Sequence, residues 1–153
     1  MKIISGDLFD YAHTGYIVHQ VNCQNAMGSG FAKAFYEHYP EIKYAYHKEY
    51  DRLKRDGQPL LGHLQYVQLT PTLIGVNSFT QEQYGNARRT GIKYTNEDLL
   101  IENIIHVINT ANTLGTNVYM PKYIGCGLAG GNWGTVMNAL KGIDTSSLTI
   151  VGA

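Results

Sequence analysis

Two glycine-rich stretches of the sequence carry the residue types that suit a phosphorylated ligand. The first, residues 19–30 (HQVNCQNAMGSG), runs from an apolar strand into a helix that we expect to begin near Phe31. A strand, a polar turn and a helix N-terminus bring free backbone N–H groups and a positive dipole end to one point, which favours phosphate binding. Asn22 and Asn25 add side-chain amides there. The spacing is neither that of a Walker loop nor that of GxGxxG, and such a turn is also an ordinary connector.

The second stretch, residues 121–133 (PKYIGCGLAGGNW), also follows an apolar strand, residues 118–120, and leads into a helix predicted over residues 133–141. Two turns of this type can face each other across the carboxyl ends of strands in one sheet, where open α/β folds bind ligands. The pair therefore predicts a pocket for a ligand with two phosphates.

At these residues the sequence resembles the macrodomain family, whose fold binds ADP-ribose. Residues 5–8 (SGDL) are similar to the family's opening Gly-Asp-Ile-Thr, so the resemblance implies that Asp7 and Leu8 hold the adenine. Residues 19–22 (HQVN) match the family's Asn-Ala-Ala-Asn ahead of its glycine run. By that register Asn22 takes the place of the asparagine that binds the distal ribose.

The same register puts His19 in place of the first asparagine and makes Asn25 an additional neighbour. Residues 124–131 (IGCGLAGG) resemble the second phosphate loop. Its Gly-Cys-Gly form is that of the branch with ADP-ribose-1''-phosphate phosphatase and the terminal ADP-ribose glycohydrolases, which includes phage and bacterial members. The residues that the resemblance implies in ligand binding are Asp7, Leu8, Asn22, Asn25, Gly28, Ser29, Gly30, Ile124, Gly125, Cys126, Gly127, Leu128 and Ala129.

The reaction depends on a few side chains, and a shared fold does not decide it. Glycohydrolases of this branch resemble each other in a lysine after the fourth strand and an acid in or after the second glycine loop. This sequence has Gln81, Ala129 and Asn132 at those places, which disfavours a mechanism with a lysine nucleophile. Asn132 is instead predicted to cap the helix that begins at Trp133.

The residues predicted to be catalytic are His19 and Asn22. His19 serves as general acid or base if its imidazole faces the pocket, and the alternative is a structural histidine. Asn22 orients the ribose or a water, with Gln81 or Tyr84 as further neighbours. The histidines show no metal-ligand spacing, so neither a metal nor a cofactor is implied.

Three functions follow from this interpretation. The first is binding of ADP-ribose with hydrolysis of ADP-ribose-1''-phosphate to ADP-ribose and phosphate. The second is a non-catalytic module or sponge for ADP-ribose or a related signalling nucleotide, and the third is glycohydrolase activity on modified nucleic acid or protein.

Composition narrows the class of protein. The 153 residues predict one domain over residues 1–153. Twelve basic and twelve acidic residues cancel, which argues against duplex nucleic acid or an anionic membrane as partner. Neither an apolar run of the ~20 residues needed to span a bilayer nor a signal peptide is evident, so we expect a cytoplasmic protein. The two cysteines, Cys23 and Cys126, lie one in each glycine stretch and are expected to be buried thiols rather than a functional pair.

Alternating strands and helices predict an α/β fold, a three-layer α/β/α sandwich with a mixed, mostly parallel sheet. Strands are predicted over residues 2–5, 16–21, 63–69, 73–79, 118–120 and 148–151, and helices over 31–39 and 42–57. A polar segment, residues 80–94, is predicted to be a lid. The next helix is predicted to begin with Thr95 and Asp98 at capping-box spacing, with His106 facing solvent. Its predicted buried stripe is Ile101, Ile104, Ile105, Ile108 and Ala111.

Overall fold

The structure, a computed structural model, describes residues 1–152. Its elements in chain order are β1 (Lys2–Ile4), α1 (Leu8–Tyr11), β2 (Gly15–Asn22), α2 (Gly30–His38), α3 (Glu41–Arg55), β3 (Leu64–Thr70), β4 (Leu73–Gln81), α4 (Ala87–Thr90), α5 (Glu97–Leu114), β5 (Val118–Pro121), α6 (Trp133–Leu140) and β6 (Leu148–Val151).

The strands form one sheet in the order β1-β6-β5-β2-β4-β3. Neighbouring strands are parallel except for β3, which pairs with β4 in the antiparallel sense. The carboxyl ends of β2, β4 and β5 therefore lie at one edge of the sheet, where β2 is flanked by the other two.

Helices cover both faces of the sheet because side chains of the central strand alternate between them. Tyr16 and Val18 pack with apolar residues of α5 and α6, whereas Ile17 packs with Phe35 of α2 and Ile42 of α3. The structure thus confirms the predicted three-layer sandwich with a mixed, mostly parallel sheet.

Most element boundaries lie within one or two residues of the sequence prediction, and three differences have a clear cause in the contacts. Residues 8–11 form the short helix α1, which the predicted elements do not include, and the Asp7 side chain caps it by accepting a hydrogen bond from the Phe9 N–H. Strand β4 continues through Thr80, which is fully buried, to Gln81, so the lid begins two residues later than predicted.

The third difference is the start of α5. Asn96, not Thr95, is its N-cap and accepts a hydrogen bond from the Leu99 N–H at 3.1 Å, while the Thr95 hydroxyl donates to the Gly125 carbonyl. The buried stripe of α5 also includes Leu100 and Val107. The residues Ile104, Ile108 and Ala111 are buried as predicted, Ile101 and Ile105 are partly buried, and His106 is exposed.

None of the helices in residues 1–152 is long and apolar enough to cross a membrane.

Candidate functional site

A cavity of about 510 Å³ lies where β2, β4 and β5 end. Three connections form its walls: loop 1 (residues 22–30), loop 2 (residues 121–132) and the lid (residues 82–94). This volume falls in the range of small-molecule binding sites. The two glycine-rich stretches thus lie on the same cavity, as the sequence predicted.

Most of the residues predicted to bind the ligand or to act on it line this cavity. They are His19, Asn22, Gly28, Ser29, Gly30, Ile124, Gly125, Gly127, Leu128 and Ala129. The structure does not bring the other four, Asp7, Leu8, Asn25 and Cys126, into its lining.

Loop 1 is held in shape by the Asn22 side chain. Its Oδ1 accepts from the Gln24 N–H at 3.0 Å, and its Nδ2 donates to the Ala26 carbonyl at 2.7 Å. Both polar atoms of the side chain therefore form hydrogen bonds within the loop, so Asn22 holds loop 1 in its conformation.

Tyr46 of α3, which the sequence analysis did not connect with this loop, completes that arrangement. Its hydroxyl lies 2.7 Å from Asn22 Oδ1 and accepts from the Ala26 N–H at 3.1 Å. The ring is fully buried, and this burial raises the pKa of the hydroxyl. A neutral tyrosine thus anchors loop 1 to the helix layer.

Asn25 was predicted to contact the ligand, but its side chain does not face the cavity. The residue has a φ of 59°, and its Oδ1 lies 2.5 Å from His47 Nδ1 on α3. The left-handed backbone turns the amide toward α3, and asparagine tolerates that conformation better than most residues. Asn25 therefore helps to dock loop 1.

The N-terminus of α2 is open toward the cavity. Ser29 occupies the N-cap position, yet its side chain makes no capping hydrogen bond, and Ser29, Gly30 and Phe31 all line the cavity. A helix N-terminus without a cap leaves its first N–H groups without side-chain acceptors and presents the positive end of the helix dipole. This end of α2 can accept an anion.

The helix after loop 2 differs. The Asn132 side chain accepts from the Thr135 N–H at 3.0 Å and thereby caps α6, as predicted, while the Asn132 N–H donates to Glu97. Because these donors are satisfied within the protein, the α6 N-terminus is not an open anion site.

His19 is buried on the α2 side of the sheet, with 1% of its surface exposed. Asn77 Nδ2 donates to Gln65 Oε1 at 2.9 Å, so its Oδ1 faces His19 and accepts from Nε2 at 2.5 Å. The ring also packs edge-on against Phe35, with 4.8 Å between centroids.

Burial lowers the pKa of His19 to about 4, only partly offset by the hydrogen bond to Asn77. The imidazole is therefore neutral near pH 7. Its Nε2 donates a hydrogen bond to Asn77, and Nδ1 is buried without a hydrogen-bond partner. A general acid or base needs a ring nitrogen that can reach the ligand, and in this structure Nε2 is paired with Asn77 and Nδ1 is buried, so the catalytic role of His19 stays a prediction.

Loop 2 depends on glycines that leave no room for a side chain. Gly125 has a φ of 67°, and a Cβ there would lie 2.8 Å from the Leu100 side chain. A Cβ on Gly131 would lie 2.5 Å from the Gly125 carbonyl oxygen. The loop therefore folds closely on itself and on α5.

A side-chain network that the sequence analysis missed ties loop 2 to the sheet. Gln20 Nε2 donates to Thr95 Oγ1 at 2.9 Å, and the Gln20 Oε1 accepts from Thr80 Oγ1 at 2.9 Å. Thr95 in turn donates to the Gly125 carbonyl. The sequence contained one indication of this network. Gln20 lies on the same face of β2 as Tyr16 and Val18, the face covered by α5 and α6, where a polar side chain needs hydrogen-bond partners.

The lid is attached to both loops. The Tyr84 N–H donates to Gln24 Oε1 of loop 1 at 2.9 Å, and the Ala87 N–H donates to the Leu128 carbonyl of loop 2 at 2.8 Å. The Tyr94 N–H donates to the Ala129 carbonyl at 2.8 Å. The ring of Tyr84 remains 61% exposed at the cavity, where Gln81 and Asn86 also lie.

Asp7 and Leu8 lie at the start of α1, outside the cavity. The Asp7 Oδ1 accepts from the Phe9 N–H at 3.0 Å, and Leu8 is 3% exposed in the core. A ligand that stays within the cavity does not reach them.

Cys23 and Cys126 form no disulfide, and both are half-buried. Burial raises the pKa of Cys23 and of Cys126 to about 11, so both thiols are protonated near neutral pH. Cys126 donates to the Ile124 carbonyl within loop 2 and thus points away from the cavity lining.

The lining carries little charge. In the described chain, Lys122 is the one cavity-lining side chain with a formal charge at neutral pH, and no carboxylate lines the cavity. Residues 1–152 also contain no group of three His, Cys, Asp or Glu side chains suited to a metal ion. Backbone N–H groups are thus the main donors that the site offers.

The chain was compared with protein families, with curated proteins and with solved structures. No protein-family model matches the chain. A curated relative, an ADP-ribose 1''-phosphate phosphatase of Aspergillus oryzae, is 39% identical over 54 residues, which is 35% of this chain and 27% of that protein. The match therefore spans only about a quarter of the length of this relative.

Solved structures match over nearly the whole chain. A protein from Bacteroides thetaiotaomicron is 24% identical with a TM-score of 0.82, covering 100% of this chain and 99% of its own. A macrodomain protein from Streptomyces coelicolor is 24% identical with a TM-score of 0.75, covering 98% and 97%. DarTG from Thermosipho africanus, solved in complex with ADP-ribose, is 16% identical with a TM-score of 0.69, covering 97% of this chain and 40% of its own.

Proposed function

Because the chain has the macrodomain fold, we propose that the cavity between loop 1 and loop 2 binds ADP-ribose. The observation that carries the proposal is the uncapped N-terminus of α2, which faces loop 2 across the cavity. A diphosphate bound there receives N–H donors from Gly30 and Phe31 and the favourable end of the helix dipole.

Backbone N–H groups are the appropriate donors because the cavity has almost no cationic side chains. Loop 2 faces α2 with Gly127 and Leu128, where a Cβ on Gly127 would meet nothing within 4 Å. A phosphate can therefore approach the backbone of both loops closely, which side chains at Gly28 and Gly127 would hinder.

The distal ribose is proposed to lie toward the end of β4, between Asn22 and Gln81, beneath the exposed ring of Tyr84. The adenosine half then extends toward the ends of β5 and β6. Asp7 and Leu8 contact the adenine only if the base extends beyond the cavity to α1.

Hydrolysis of ADP-ribose-1''-phosphate is proposed as the reaction, supported by the name of the Aspergillus relative. With His19 buried, the reaction relies on a positioned water, on the second N–H of the Asn22 side-chain amide and on loop N–H groups that stabilise the developing charge. Gln81 offers no nucleophilic amine, so glycohydrolysis by a lysine mechanism remains disfavoured.

A non-catalytic binding module is the second candidate. The observation in its favour is that no carboxylate lines the cavity in residues 1–152, and the one histidine beside it is committed to Asn77. A site without an accessible titratable acid or base binds a nucleotide readily but turns it over slowly.

Calorimetric titration separates these possibilities. ADP-ribose is titrated first, and ADP-ribose-1''-phosphate is then added, with inorganic phosphate assayed afterwards. Micromolar binding followed by phosphate release supports the phosphatase, and binding without phosphate release supports the non-catalytic module. Failure of both ligands to bind would refute the proposed function.

A further inference from the structure

Lys122 is the charged residue of the cavity, and its position at the sheet edge is well defined. Its backbone N–H donates to the Val151 carbonyl at 2.9 Å, and a Cβ on Gly152 would lie 2.6 Å from the Lys122 Cβ. Lys122 therefore lies where β5 and β6 end, on the opposite side of β2 from Gln81 at the end of β4.

The ammonium group of Lys122 is not neutralised by the protein. None of the ion pairs formed within residues 1–152 involves it. Its Nζ lies 5.1 Å from the centroid of the Tyr123 ring, which packs edge-on against Trp133 at 5.5 Å. A cation–π contact holds a cation without cancelling its charge, so the group keeps its affinity for an anion.

In the proposed function, N–H groups of α2 and of the two loops bind both phosphates of ADP-ribose. Given the orientation stated under the proposed function, on which this inference rests, Lys122 and Tyr123 lie beside the adenosine half of the ligand. Tyr123 is 49% exposed and, together with Lys122, which is partly exposed, lines the cavity where β5 ends.

We propose that Lys122 is a specificity-determining residue that binds a phosphate monoester on the adenosine ribose. The protein then prefers ADP-ribose that carries a 2'-phosphate over ADP-ribose itself. A charge-assisted hydrogen bond between an ammonium and a phosphate oxygen supplies the preference, and it is stronger than a bond between neutral groups.

The experiment compares two ligands in three proteins by calorimetry at low salt. The ligands are ADP-ribose and 2'-phospho-ADP-ribose, and the proteins are the wild type, Lys122→Met and the control Lys141→Met. Lys141 is an exposed lysine at the end of α6, outside the cavity. Inorganic phosphate is assayed after each titration to verify that the ligand is intact.

In the wild type and in Lys141→Met, the 2'-phosphate is expected to tighten binding about tenfold, since a hydrogen bond to a charged group contributes at least that much. In Lys122→Met the gain is expected to fall to about twofold or less. The ratio of the two dissociation constants is the readout, so a general effect of the substitution on binding cancels.

Two results would overturn this inference while leaving the proposed function intact. One is binding of ADP-ribose to the wild type with no gain from the 2'-phosphate. The other is a gain of the same size in Lys122→Met and in the wild type. If the wild type binds neither ligand, the proposed function itself fails and the inference fails with it.

Discussion

Loop 1 and loop 2 are both rich in glycine, but the space around those glycines differs. A Cβ on Gly28 or Gly30 of loop 1 would meet nothing within 4 Å. In loop 2, a Cβ on Gly131 would lie 2.5 Å from the Gly125 carbonyl oxygen, and one on Gly130 would lie 2.5 Å from Ala87. Gly130 and Gly131 of loop 2 are thus required by the protein's own packing, whereas Gly28 and Gly30 of loop 1 leave space open for a ligand.

The helices that follow the two loops show the same difference. Asn132 caps α6, whereas Ser29 leaves α2 without a side-chain cap. Loop 2 is therefore a packed wall of the cavity, and loop 1 with α2 supplies the open donors. The glycine content of the two loops alone does not show which loop is packed and which loop leaves its N–H groups open.

The largest effect that the comparison predicts is on stability, at Gly131. Gly131→Ala is expected to lower the free energy of unfolding by about 3 kcal/mol, because the new methyl group overlaps the Gly125 carbonyl. Gly28→Ala is the matched variant and is expected to stay within about 0.5 kcal/mol of the wild type. Urea denaturation measures both, and equal losses would show that the loops do not differ in packing.

His19 tests how strongly the α2 side of the sheet depends on a neutral imidazole. Burial lowers the pKa of His19 from 6.5 to about 4 in the folded protein. Between these two pH values the unfolded chain therefore binds a proton at His19 more readily than the folded protein does. Stability from this residue is therefore complete above about pH 6.5 and falls as the pH drops toward 4, by about 3 kcal/mol in all.

The measurement is the free energy of unfolding of wild type, His19→Gln and His106→Gln between pH 7 and pH 4. His106 is exposed, so its variant should keep the wild-type pH dependence. The His19 variant is expected to lose about 3 kcal/mol less than the wild type across this range. Identical pH profiles would contradict the burial of a neutral His19.

Tyr46 provides a test within loop 1. Tyr46→Phe removes the hydroxyl that bonds to Asn22 and accepts from the Ala26 N–H. We expect a loss of about 1–3 kcal/mol of stability together with weaker ADP-ribose binding, because the loop is no longer held. A variant that loses stability yet binds ADP-ribose like the wild type would show that this anchor does not shape the site.

The smallest effect is predicted at the capped helix. Asn132→Ala removes the cap of α6 and should cost about 1 kcal/mol of stability. ADP-ribose binding should be unchanged, because Asn132 does not line the cavity. A marked loss of affinity in this variant would place ligand contacts at α6 and remove the distinction between the two helices.

The sequence was sufficient for the fold and for the position of the cavity, because strand and helix periodicity and the two glycine stretches are local signals. It was also sufficient for the Asn132 cap. It did not show the orientation of Asn25 and His19, which depends on partners distant in sequence, His47 and Asn77. Residue type shows that a side chain can do chemistry, but only packing decides which face of the strand or loop it occupies.

Gln20 and Tyr46 show the same limit from the other side. Both hold the loops of the site, but their partners are up to 75 residues away in the chain for Gln20 and 24 for Tyr46. Spacing within a motif does not reveal such contacts. The loops could therefore be predicted from the sequence, whereas the residues that support them could not.

Binding of the diphosphate at the open N-terminus of α2 is tested by adding a carboxylate there. ADP-ribose is titrated calorimetrically into wild type, Ser29→Asp and Asn132→Asp. Ser29→Asp places a carboxylate at the α2 N-terminus, where it accepts the free N–H groups and repels phosphate, while stabilising the helix by about 0.5–1 kcal/mol. Asn132→Asp puts the same charge at the α6 N-terminus.

We expect micromolar binding to the wild type, roughly −8 kcal/mol. We also expect at least about a tenfold loss in Ser29→Asp and nearly wild-type affinity in Asn132→Asp. Unchanged affinity in a folded Ser29→Asp protein would contradict the claim, because the diphosphate would then lie elsewhere.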